Sequence, residues 1–461
     1  MRAIIARREP DRRGCGLMHP VRNERGSALM AAFWMLVVLL MAGLAASYST
    51  STEVGLSGNQ RLDTQIFYLA EAGVAQTKKY LDQLGIQFVG TGSNGTAPKE
   101  VFLEVPVGIS GGVSGRFTAF IDPKDNEGGK PTKYLALTVR AWIPGNPIVK
   151  VIQERVGQEN FAKYAYFTDE ERMTSGIIVW FTDGDVLRGP VHSNSQINIT
   201  GDPIFIKEVT TTASSVNYSG TCNPDFREGI EFNVDSIELP TDTGLLRAKA
   251  QEAQGLYFGS AADLVLAYDD TTGFASVSVD LGSGPVIYQI PENGVLYVDG
   301  DCTIQGTLKG QLTVACSGDM YIVDNLLYTT DPRTDPSSTD LLGLVADNNV
   351  YMADTAENLD AGDEIVMAVI MALNTSFAAE NYGSGTPRGY LRVIGGVIQK
   401  NRGPVGTFSW GGGISTGYEK DYVYDDRLAD SPPPAFPTTG LVQTLAWKEM
   451  DPNYDISQNV F

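Results

Sequence analysis

The chain has 461 residues and a formal net charge of −21, unevenly placed. Residues 1–25 hold seven arginines against Glu9, Asp11 and Glu24, so the whole acidic excess lies beyond them. An acidic body argues against nucleic acid or an anionic lipid surface as the main partner, and the length allows two or three domains.

Residues 1–26 form a basic leader without periodicity. Ala28–Ala46 then runs without a charged residue, close to the ~20 residues a helix needs to cross a bilayer. Basic residues before such a run place the N-terminus on the cytoplasmic side and the body outside. A cleaved signal peptide has an apolar core of roughly 7–15 residues. Here the apolar run is longer, and proline-free sequence continues to Gly85. The spacing predicts one helix over 27–85. Its first half, with Leu29, Phe33, Leu36, Leu40 and Leu44, would lie in the membrane. In its second half Leu56, Leu62, Ile66, Leu69, Val74 and Leu81 recur near a period of 3.6. Such a stripe needs a partner sheet or partner helices. The run Ser47-Tyr48-Ser49-Thr50-Ser51-Thr52 is a candidate bend.

Several motifs in this stretch occur together: Arg25-Gly26-Ser27-Ala28-Leu29, the apolar span, Gly58-Asn59-Gln60-Arg61 and Ala70-Glu71-Ala72-Gly73. The combination resembles the N-terminus of PilX-type minor pilins of the type IV pilus and type II secretion class, over residues 25–85. The resemblance implies a processing boundary between Gly26 and Ser27. It implies an assembly helix that includes Glu71, with other pilin-like subunits and the pilus assembly machinery as partners. It also implies a single-pass protein of the bacterial inner membrane, with its body periplasmic or on a surface filament. The usual pilin carries Glu at the fifth mature position; this chain has Ala31 there. That departure points to a minor subunit rather than one that builds a shaft.

Residues 86–99, rich in Gly, Ser, Asn and Thr, are expected to be a loop. Strand-like runs follow at 113–121, 134–143 and 147–156, the last two joined by the turn Pro144-Gly145-Asn146-Pro147. Residues 86–160 are thus expected to form a small antiparallel sheet covering the helix. From Phe161 to about residue 437 short strands alternate with Asp-Gly, Gly-Asp and Asp-Asn turns, most clearly over 294–324. Short strands with turns between them suit a parallel β-helix, each coil stacking on the last. The expected fold class is mainly β with a long N-terminal α-helix: a pilin-like helix plus antiparallel sheet, then a parallel β-helix-like domain. Thr241–Gln254 is predicted as a short helix and residues 438–461 as a C-terminal tail. The region 161–437 also resembles an uncharacterised extracytoplasmic domain family found after PilX-type N-termini. Its landmarks are Phe161–Asp169, Gly189-Pro190-Val191-His192-Ser193-Asn194, Gln399–Gly403 and Tyr422–Leu428.

Candidate chemistry is sparse. His192 is the one histidine outside the leader, with no marked nucleophile or base beside it, and a structural hydrogen-bonding role is expected. Asp183-Gly184-Asp185, Asp299-Gly300-Asp301 and Asp347-Asn348-Asn349 offer carboxylates, but turns between strands favour these residues anyway. No metal site or cofactor is expected. Cys302 and Cys316 sit in adjacent strand-like runs, as two thiols or a disulfide, and Cys222 stands apart. Asp425, Asp426 and Arg427 form a dense charged cluster suited to ion pairing. Trp410, Tyr418, Tyr422 and Tyr424 are candidate contacts to a surface glycan or protein, or packing at the end of the stack. The reading is a non-enzymatic minor pilin-like subunit that displays a β-rich body for adhesion or assembly priming. The alternative is a membrane-tethered polysaccharide-binding protein or carbohydrate-active enzyme.

Overall fold

A computed structural model describes residues 25–84, 99–109, 113–122, 134–359, 362–409 and 413–455. The first element is a single helix, α1 (Arg25–Leu84). At 1.5 Å per residue it is about 90 Å long. It stays helical through Ser47–Thr52, the candidate bend, where the Thr50 and Thr52 hydroxyls donate to the carbonyls of Ala46 and Tyr48 four residues back. It is long and apolar enough to cross a membrane, and no residue of the apolar window is buried.

Four antiparallel strands follow in chain order: β1 (Lys99–Ile109), β2 (Val113–Asp122), β3 (Tyr134–Trp142) and β4 (Val149–Asn160). Residues 86–98 of the expected loop lie outside the described residues, and Lys99 opens β1, a strand absent from the expected pattern. The fifth strand, Thr438–Met450, lies antiparallel against β4. Residues read as a tail thus close the N-terminal sheet. Ile66, Leu69, Ala70, Val74 and Leu81 of α1 are buried against Phe117, Leu137, Val139, Ile152 and Val156. Leu62 is partly buried and Leu56 is exposed, so the apolar stripe is covered only from about Leu62 onward.

The larger region is a stack of short, mostly parallel strands. One column runs through Leu256–Phe258, Val295–Val298, Gln311–Cys316, Leu341–Ala346 and the second halves of Glu364–Ala372 and Pro387–Asn401. It continues through Tyr166–Glu170, Val191–Ser193, Val209–Thr211 and Ile230–Phe232. A second column pairs Ala262–Asp269, Cys302–Leu308, Met320–Tyr328, Val350–Met352 and Phe377–Ala379. A third includes residues 364–367, 391–394 and 420–423. Leu296, Val314, Leu344 and Ile370 point into one apolar interior with Ile304, Ile322 and Leu391.

Spatial order differs from chain order. The chain joins the stack in its middle at Tyr166, winds to one end at Ile230–Phe232, and crosses to the opposite end at Leu256. It then winds back until Val397–Asn401 pairs with Tyr166–Glu170. The crossing segment lies over the first column. Asn194 bonds the backbone of Ile237, Asn374 donates to the Thr241 carbonyl, and the Thr243 backbone donates to Asp347. The helix Gly244–Ala250 sits in this segment, inside the predicted 241–254, and buries Leu246 and Ala250. The first column therefore has apolar residues on both faces: Tyr297, Ala315, Val345, Met371, Ile398 and Phe167 form its outer ladder.

Candidate functional site

The surface of α1 divides sharply. Leu29, Phe33, Leu36, Leu40 and Leu44 are each more than half exposed. Gly26 and Ser27 lie in the first turn of the helix. Farther along, the helix approaches the sheet through its small residues. Ala70 is buried, and a Cβ on Gly73 would stand 2.8 Å from the side chains of Phe117 and Val139. Glu71 accepts from the indole nitrogen of Trp447 at 3.1 Å. Lys78 pairs with Glu154 at 2.6 Å, and Thr444 donates to the same carboxylate. Asp63 meets Lys150 at 3.1 Å. The Ala70–Gly73 motif is thus the site where the helix docks, and the C-terminal strand supplies two of its partners.

The landmark stretches of the stack converge where the chain joins it. Arg402 is buried, with its guanidinium 2.8 Å from Glu171 and 3.7 Å from the Phe181 ring centre. Its nitrogens also donate to the carbonyls of Val179 and Trp180. The Gln399 carbonyl oxygen accepts from the backbone of Phe377 and Gly403, and its amide donates to the Tyr166 hydroxyl. Lys420 faces Asp185 at 3.6 Å, across a cavity of about 30 Å³ also lined by Tyr422. Burial holds the Lys420 ammonium below its ordinary value, with Asp185 opposing. Such a network is costly to leave half-satisfied and fixes one register between distant strands. Sequence reasoning marked Gln399–Gly403 but not the Arg402–Glu171 pair, whose partners lie 231 positions apart.

His192 continues the outer ladder. It stacks on Phe167 with ring centres 5.1 Å apart. Its Nε2 lies 2.9 Å from the Asn194 side-chain oxygen and its Nδ1 2.8 Å from the Thr210 hydroxyl. Asn194 also accepts from the Ile237 backbone, so its oxygen faces the ring and Nε2 carries the proton. Burial pushes the imidazole below its ordinary value. Both ring nitrogens are committed to the fold.

The turn carboxylates are similarly engaged. Asp183 accepts from the Asp202 backbone and Asp301 from the Asp319 backbone, each one rung away. Asp299 accepts from Tyr257 and Ser317, and Arg247 pairs with it. Among the described residues no three His, Cys, Asp or Glu side chains gather to hold a metal ion. Cys222, Cys302 and Cys316 are free thiols, the last two buried.

The aromatic candidates divide. Trp410 lies outside the described residues. Tyr418 is fully buried and donates to the Asn358 carbonyl at 2.6 Å, so it presents no surface to a ligand. Of the two roles open to it, ligand contact or packing, its burial fits packing. Tyr422 lines the internal cavity, and Tyr424 donates to the Ala162 carbonyl at 3.2 Å. Asp425 is buried and held by Arg427, which also donates to the carbonyls of Ser338 and Asp340. This ties the segment after Val423 to the loop 329–340; Asp426 is exposed.

Residues 146–222 match the model of a domain of unknown function (DUF4900). That span runs from β4 through the strands that follow the joining point. No curated protein matches the chain. Among solved structures it is similar to the competence-associated pilin ComZ from Thermus thermophilus. The identity is 13%, with 84% of this chain and 98% of that one covered. The TM-score of 0.32 is too low to define a common fold.

Proposed function

We propose that this protein is a pilin-like structural subunit of the minor class. The first half of α1 anchors it in a bacterial inner membrane with its N-terminus cytoplasmic. The same surface later packs against neighbouring subunits in a type IV pilus or type II secretion-like filament. The observation that carries this reading is the division of α1. One continuous helix leaves its N-terminal apolar half bare and docks its other half on an antiparallel sheet through Ala70 and Gly73. A bare apolar helix half requires lipid or other helices around it. The motifs around Gly26 and Ala70–Gly73, which resemble PilX-type pilins, give that requirement a pathway.

The stack, read as a three-sided parallel β-helix, is the displayed body. Its role is adhesion or assembly priming rather than catalysis. Supporting this, His192 and Asp425 both spend their polar atoms on the fold. The test is the mature N-terminus, read by mass spectrometry of protein purified from its native membranes. The expected outcome is a chain beginning at N-methylated Ser27. An intact leader, or cleavage beyond the apolar run, would remove the filament reading.

A further inference from the structure

The outer surface of the second column carries a feature that the filament reading does not use. Residues in register along it are Asp263, Thr303, Tyr321, Tyr351 and Ala378, one from each successive rung. Tyr321 and Tyr351 stack with ring centres 5.5 Å apart and planes 27° apart. Parallel strands lie about 4.8 Å apart, so each ring occupies one rung. Beyond the pair, the next rung on each side bears a small residue: Thr303 beside Tyr321, Ala378 beside Tyr351. Ala378 is buried and Thr303 half-buried, so the space beside each ring is a recess in the surface. Two recesses result, of about 380 Å³ beside Tyr321 and about 420 Å³ beside Tyr351, and both are lined by Tyr321. Sharing Tyr321, they make a groove interrupted by the ring pair.

The polar groups of this groove are held in place. Asp301 accepts from the Asp319 backbone, and Asp319 accepts from the backbone and side-chain nitrogens of Asn349. Each carboxylate thus fixes one oxygen and leaves the other without a hydrogen bond among the described residues. The phenols of Tyr321 and Tyr351 likewise make none. Burial, then Asp319, pushes the Tyr321 phenol up to about 12, so it remains a protonated donor. No Lys or Arg lines either recess.

We propose that this groove binds an extended glycan chain that carries no carboxylate or sulfate groups. The flat ring faces suit the C–H faces of pyranose rings, and the fixed carboxylates, amides and phenols suit sugar hydroxyls. Unpaired carboxylates repel an anionic chain. The strands below the rings are paired on both sides, so no open edge is offered for strand addition by a peptide. The proposal stands whether or not the protein enters a filament.

The test is calorimetric titration of the full-length protein, in a detergent without a sugar headgroup, with neutral hexasaccharides: cellohexaose, maltohexaose, mannohexaose and chitohexaose. Hexagalacturonate is the anionic comparison. At least one neutral chain is expected to bind saturably, and hexagalacturonate at least about tenfold more weakly. Tyr351→Ala is expected to weaken the neutral ligand by about tenfold or more. Thr303→Trp, which fills the recess beside Tyr321 while keeping both rings, is expected to do the same if the Tyr351 variant is unstable. The proposal is overturned if no neutral chain binds below about 10 mM, if hexagalacturonate binds as well, or if a folded variant retains full affinity.

Discussion

Leu36 and Leu69 are leucines of the same helix, yet the first is 67% exposed and the second 3%. Leu36 lies in the uncharged run Ala28–Ala46, Leu69 on an apolar stripe flanked by charged residues. The two halves differ also in what meets their small residues. The docked half offers Ala70 and Gly73, which let Phe117 and Val139 approach the helix backbone. At Gly43, Gly55 and Gly58 nothing approaches within 4 Å of where a Cβ would lie. Small residues in a helix are therefore a docking signal only where large side chains on another element fill the space they leave.

Charged substitutions should break the comparison most severely. Arg at the centre of a membrane helix costs about 2.5–3.5 kcal/mol on insertion scales. Leu36→Arg is expected to move the protein from the membrane to the soluble or aggregated fraction while the sheet and stack remain folded. Leu69→Arg is expected to do the reverse. The protein stays in the membrane, but protease sensitivity appears in β1–β4 and the C-terminal strand, because the charge lies under the sheet. Carbonate extraction followed by limited proteolysis reads both. If the two variants behave alike, the halves are not functionally distinct.

A subtler pair isolates the small residues. Gly58→Ala should stabilise the helix slightly, by up to about 1 kcal/mol, since Ala is the better helix former and has open space there. Gly73→Ala carries the same helix gain but drives a methyl into Phe117 and Val139. Overpacking of that kind costs about 1–3 kcal/mol, so the net change should be destabilising. Thermal unfolding of the two variants checks the opposite signs.

The parts legible in the sequence were those governed by near neighbours. The uncharged run Ala28–Ala46 marked the bare half of the helix, and Ile66, Leu69 and Val74 marked its docked face. The short strands over 294–324 marked a stack of rungs. What stayed hidden depends on partners far apart in the chain. Thr438–Met450 gives no local sign that β4 waits for it. Arg402 resembles a surface arginine until Glu171 and Phe181 close around it. Tyr418 alternates with Tyr422 as an exposed strand residue would, but the pattern does not say which side faces the interior. The Tyr321–Tyr351 pair needs a rung register that only the folded stack supplies.

The smallest expected effect concerns a titratable group in the outer ladder, where every neighbour toward the opposite end is apolar. His192 is packed between Phe167 and Thr210 beneath Tyr164, with Asn194 at its Nε2. Burial lowers its folded-state value below the ordinary 6.5; Asn194 and Glu159 oppose that shift and Lys163 adds to it. Below pH 6.5 the unfolded chain therefore takes up a proton that the folded chain refuses, and protonation favours unfolding. The stability tied to the neutral ring is complete above that pH and declines as pH falls toward the folded value. His192→Gln keeps polar atoms near Thr210 and Asn194 but cannot titrate. Denaturant midpoints measured from pH 7.5 to 5 should fall for the native chain and fall less for the variant, with carboxylate titration common to both. Parallel curves would mean that the imidazole is protonated equally in the folded and unfolded states, and the ladder would then accept a charge that its packing says it rejects.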